Sequence, residues 1–135
     1  MKEPSLTNDD LDLLHAAIQK ILEPAVKNVL LRIPNLRCIP GRASTKAFPL
    51  LSDITIEDPA RPEIDPVSIA VEIRVDSGRF VIVANAIGEE SGKSVARIPE
   101  VELPFATSPE SLTATIVDSA KRLAAQVGTI IETVF

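Results

Sequence analysis

Ten residues in the middle of the chain restrict its fold more than any others. Val67, Ile69, Val71, Ile73 and Val75 alternate with Ser68, Ala70, Glu72, Arg74 and Asp76. Side chains on a β-strand point to opposite faces with a period of two, so this pattern predicts a strand with one buried face. Asp76-Ser77-Gly78-Arg79 follows as a tight turn, and Phe80 to Ile87 returns as a second strand. With Ser77-Gly78 as a two-residue loop, Asp76 faces Arg79, Val75 faces Phe80, Ile73 faces Ile82 and Val71 faces Ala84. The apolar pairs among them form one core face. The same register puts Val81, Val83 and Ile87 on the opposite face, beside Arg74, Glu72 and Ser68. A strand that is apolar on both sides wants cover on both sides. Helices of this chain would supply one cover. A protein partner would supply the other, most simply a second copy in a two-fold homodimer. The alternative is that the first helix crosses to that face and completes the monomer.

The flanking segments read as helices. Leu11, Leu14, Ile18, Leu22, Val26, Val29 and Ile33 recur at spacings of three and four, which is one apolar helical stripe. Thr7 or Asn8 can cap it, and Asp9, Asp10 and Asp12 suit the positive end of the helix dipole. Pro24 predicts a kink or a break at Glu23–Pro24, and Pro34 a stop. At the other end, Ser108 caps a helix with Pro109 at its first position. Leu112, Ile116, Ala120, Leu123, Val127, Ile130 and Val134 then make one stripe over a single long helix, from about Pro109 to Val134. Its other face carries Ser and Thr with few charges.

Between the first helix and the hairpin, Pro34, Pro40, Gly41 and Pro49 mark 34–49 as a loop. Leu50, Ile54 and Ile56 share one face of a short strand, with Asp53, Thr55 and Glu57 on the other. Three prolines stiffen 58–66. After the hairpin, 88–94 is a polar loop, and Val95 to Leu103 is a further strand that Pro99 confines to a sheet edge. The expected fold is therefore a single α+β domain over 1–135. It has an N-terminal helix, an antiparallel sheet of three to four strands and a long C-terminal helix, with the helices packed on one sheet face.

Composition removes several function classes. The chain has no Trp or Tyr and only four Phe, so it lacks the usual side chains for stacking bases. Its net charge of −5 further disfavours nucleic acid as a partner. One His and one Cys cannot build a zinc site, and the spacing of Glu57, Asp58, Glu63 and Asp65 matches no calcium loop. A lone Cys38 allows no internal disulfide. With no apolar run of about 18 residues and a polar, acidic start, the expectation is a cytoplasmic protein without a membrane span.

Three features suggest chemistry. Gly88-Glu89-Glu90-Ser91-Gly92-Lys93-Ser94 resembles the Walker A loop of nucleotide-binding proteins. It is one residue short between the glycines, and Pro99 follows where a helix would be needed. A flexible hairpin loop is the reading favoured here. His15 has no nucleophile or carboxylate beside it in sequence. The charge distribution is uneven: no acid occurs between Glu23 and Asp53, a window holding Lys27, Arg32, Arg37, Arg42 and Lys46. Arginines on a loop can clamp a phosphate or an acidic protein segment. The expected function is a non-catalytic protein-interaction domain that self-associates through Val81, Val83 and Ile87, with no cofactor and no metal. The alternative is a domain that binds a small phosphorylated ligand through the basic 27–46 segment, with Arg32, Arg37, Arg42 and Lys46 as candidates.

Overall fold

A computed structural model describes residues 6–41 and 49–135. The order of elements is α1 (Asn8–Leu30), β1 (Arg37–Pro40), β2 (Leu50–Glu57), β3 (Val67–Asp76), β4 (Arg79–Gly88), β5 (Ser94–Arg97), β6 (Val101–Pro104), α2 (Pro109–Ala124) and α3 (Val127–Val134). The class is α+β. Among the described residues there are three helices and one antiparallel sheet of six strands, ordered β1-β2-β3-β4-β5, with β6 also pairing β4.

The β3–β4 hairpin has the predicted register, with Asp76 opposite Arg79, Ile73 opposite Ile82 and Val71 opposite Ala84. Ser77 and Gly78 both take positive φ, at 52° and 78°. That is a turn whose twist matches the strands it joins, and it explains the glycine. Inner positions Val67, Ile69, Val71, Ile73, Phe80, Ile82, Ala84 and Ala86 are all buried. Leu50, Ile54 and Ile56 of β2 extend the same face. The helices supply its cover: Leu14, Ile18, Leu22 and Val26 from α1, Leu112, Ile116, Ala120 and Leu123 from α2, and Val127, Ile130 and Ile131 from α3 belong to the same apolar cluster.

Five expectations are corrected. First, α1 does not break at Pro24 into two helices, and it ends at Leu30, before Pro34. Pro24 and Lys20 lie on the solvent side, so the carbonyl that loses its donor faces water, while Leu22 and Val26 anchor both halves to the core. Second, 34–49 is not all loop. Arg37–Pro40 pairs along β2, with Cys38 opposite Ile56. Third, the segment after the hairpin is two strands. Pro99 cannot donate to a ladder, so β5 and β6 stop on either side of it and pair with different ends of β4. Fourth, the sheet consequently has six strands. Fifth, the C-terminal helix breaks at Ala125–Gln126, which leaves α2 in contact with β3 and β4 and α3 in contact with β5. A straight rod cannot follow a twisted sheet over that span.

Candidate functional site

The sheet face opposite the helices carries Val81, Val83 and Ile87, as their register requires. The first helix does not cross to it. Ala70, Val81 and Val83 are buried, yet they stand apart from the apolar cluster beneath the helices. Their cover comes from neighbouring long side chains. Val81 sits between Arg74 of β3 and Glu102 of β6. Arg74 bonds Glu72 at 3.0 Å and approaches Glu100 at 3.7 Å, and Arg97 reaches Glu100 at 3.1 Å. Arg79 approaches Glu102 at 3.6 Å. Charged side chains of this length lay their aliphatic stems over apolar surface and keep their heads in water. Val81 and Val83 are only 7% and 8% exposed, with no helix or strand above them among the described residues.

Beyond that ion-paired strip the described residues leave the face open. A hollow of about 410 Å³ has Leu51, Ala70, Val83 and Ile87 as its apolar part, with Ser68, Glu72, Asn85 and Glu89 as polar groups and Gly88 and Gly92 of the 88–94 loop closing one side. Leu51 of β2 is 37% exposed and Ile39 of β1 is 42% exposed. The three residues predicted for the face are therefore divided. Val83 and Ile87 line this hollow, whereas Val81 lines a separate, more polar one with Arg74, Glu100 and Glu102.

Two of the four candidate residues of the basic segment lie among the described residues. Arg37 lies opposite Glu57, and its Nε donates to Glu57 Oε1 at 2.8 Å. Arg32 lies beyond the end of α1, lining a groove with Asn28, Ile33, Gly128 and Glu132. Arg42 and Lys46 lie outside the described residues. Cys38 packs against the apolar cluster from β1, as a small hydrophobe does.

Sequence reasoning missed the partner of His15. Its Nδ1 lies 2.8 Å from Ser52 Oγ, and Gln19 Nε2 donates to the same hydroxyl at 2.9 Å and to the Asp53 carbonyl at 3.1 Å. Ser52 accepts from Gln19, and its hydroxyl donates to Nδ1 or accepts from it according to the ring's tautomer. A serine beside a histidine is the pairing that nucleophilic catalysis uses. Here Ser52 is wholly buried on the inner face, and the trio ties α1 to β2. Its one sequence signal was a hydroxyl among Leu50, Ile54 and Ile56.

The acidic connection also has fixed structure. Asp58 is buried and accepts from Arg61 Nε at 2.6 Å, the Ala60 amide at 3.0 Å and Asn35 Nδ2 at 3.2 Å. The Arg61 side chain is the main cause that lowers its pKa below the ordinary carboxylate value. Among the described residues, no three His, Cys, Asp or Glu are grouped to hold a metal ion, and no helix is long and apolar enough to cross a membrane.

No protein-family model, curated protein or solved structure matches this chain. The functional reading therefore rests on the geometry of the faces.

Proposed function

We propose that this protein is a non-catalytic interaction domain that binds a second copy of itself through the open sheet face. The observation that supports this reading is the apolar surface of Leu51, Ala70, Val83 and Ile87, where an ordinary solvated sheet face would alternate to polar residues. Two arguments favour a copy of the chain over a foreign partner. The forty strand residues, at about 3.3 Å of rise and 4.8 Å of strand spacing each, make a face of roughly 630 Å². One partner at the small end of the standard stable interface buries about that area. The ion-paired residues of the face are also balanced: Glu72, Glu100 and Glu102 offset Arg74, Arg79 and Arg97. That ion-paired strip meets its own copy without net repulsion; Asp53, Asp76 and Glu89 on the same face are acids outside it.

Two further observations support a binding role without catalysis. The one serine–histidine pair is enclosed beneath α1. Arg37, a candidate for a phosphorylated ligand, is neutralised by Glu57.

Light scattering on the wild type and on Val83→Glu tests the reading. The wild type is expected at twice the chain mass, and Val83→Glu at the chain mass with its helical and strand signal kept. A wild type that stays at the chain mass at every concentration would sink the proposal, including one that instead captures an unrelated protein.

A further inference from the structure

Asp65 stands at the end of the stiff β2–β3 connection, and its carboxylate reaches the 88–94 loop. The backbone N–H of Glu90 donates to Oδ1 at 2.8 Å. The backbone N–H of Ser91 donates to Oδ2 at 3.1 Å, and the Ser91 hydroxyl donates to the same oxygen at 2.8 Å. The loop closes on itself through Gly88 N–H to the Lys93 carbonyl at 3.0 Å and Gly92 N–H to the Gly88 carbonyl at 2.9 Å. Gly92 takes φ of +68°, which glycine accepts without strain. Successive amides converging on one point make a concavity for anions.

Two observations indicate that the concavity is shaped around a carboxylate. Gly88 has no room for a side chain: a Cβ there would lie 2.3 Å from Asp65 Oδ2 and 2.5 Å from Ser91 Oγ. The Asp65 carboxyl is also held below its ordinary pKa, chiefly by the Glu90 amide. The charged groups on the loop are Glu89, Glu90 and Lys93. Glu89 is engaged by the Thr55 hydroxyl at 2.9 Å. The two glutamates disfavour a dianion such as phosphate, so the site suits a small monocarboxylate.

We propose that the 88–94 loop is a carboxylate-binding nest, filled in the native chain by Asp65 and open to a free small carboxylate when that side chain is removed. The reading goes beyond self-association and does not depend on it. In the native protein the nest acts as a latch between the β2–β3 connection and the β4–β5 loop. Tethering gives the Asp65 carboxylate an effective concentration of millimolar order or above, so dilute free anions do not displace it.

The test is amide hydrogen exchange at Glu90 and Ser91 in the full chain, with formate as the probe. Asp65→Ala is expected to speed exchange at these two amides by about tenfold, the loss of hydrogen bonds to a charged acceptor. Formate is expected to reverse most of that change saturably in Asp65→Ala and to leave the wild type unaltered. Formate that fails to slow exchange in a folded Asp65→Ala would overturn the proposal, as would an equal effect in the wild type. Should Asp65→Ala unfold, acid titration of the wild type decides. The Glu90 and Ser91 amide shifts must then move together, with a midpoint below the ordinary carboxylate value, while the β3–β4 amides remain native. Shifts that do not respond would refute the nest.

Discussion

The two faces of the β3–β4 hairpin bury similar side chains by different means. On the inner face, Val71, Ile73, Ile82 and Ala84 meet the aliphatic stripes of three helices. On the outer face, Val81 and Val83 are nearly as buried, yet they shelter under a strip of Glu and Arg side chains. The first arrangement excludes water through packed elements that cannot leave without unfolding. The second is a cover of flexible side chains, which can rearrange for an incoming surface at small cost, because exposed ion pairs hold only about 0–1 kcal/mol each. Low exposure alone therefore does not separate a packed core from a face covered by long side chains.

The difference is sharpened first by truncation. Ile73→Ala should destabilise the protein by about 2–5 kcal/mol, as deletion of a packed core side chain does. Val81→Ala should cost only about 1 kcal/mol, since its cover can collapse onto the smaller residue. Chemical denaturation measures both, and equal costs would mean that the outer cover is as rigid as the helices.

Gly88→Ala comes next. The added carbon meets Asp65 and Ser91, so a loss of about 1–3 kcal/mol is expected in thermal unfolding. Acid stability tests the same contact. The folded-state pKa values of Asp65 and Asp58 lie below their unfolded values. Their contribution is thus complete above the ordinary carboxylate pKa and is lost as pH falls through the lowered one. Asp65→Asn should flatten the decline in stability on acidification. An unchanged pH profile would show that the carboxylate is not held as described.

The smallest effect is expected at the turn. Ser77 sits at φ 52°, where Asn or Gly is more comfortable. Ser77→Asn should raise stability by a few tenths of a kcal/mol, and up to about 1, without altering association.

The hairpin was legible because a period of two carries its own register, and a one-residue slip would have turned every valine over. The helix stripes were legible for the same kind of reason, down to Leu112, Ile116, Ala120 and Leu123. The missed elements lack a period. β1 has four residues and ends on a proline, and β5 and β6 have four residues each around Pro99. Long-range polar contacts left no local trace: Ser52 lies 37 positions from His15, and Asp65 lies 26 from Ser91. Of the candidate site, the sequence pattern located Val81, Val83 and Ile87 on the outer face. It could not reveal that Leu51 joins them or that ion pairs roof the valines, because both depend on how distant strands align.

Methyl-resolved NMR on a mixture of differently labelled chains tests the assignment of the two faces most directly. Intermolecular contacts are expected from the methyl groups of Leu51, Val83 and Ile87, and none from those of Ile73 and Ile82. Intermolecular contacts confined to the helices or absent altogether would contradict self-association through the open face.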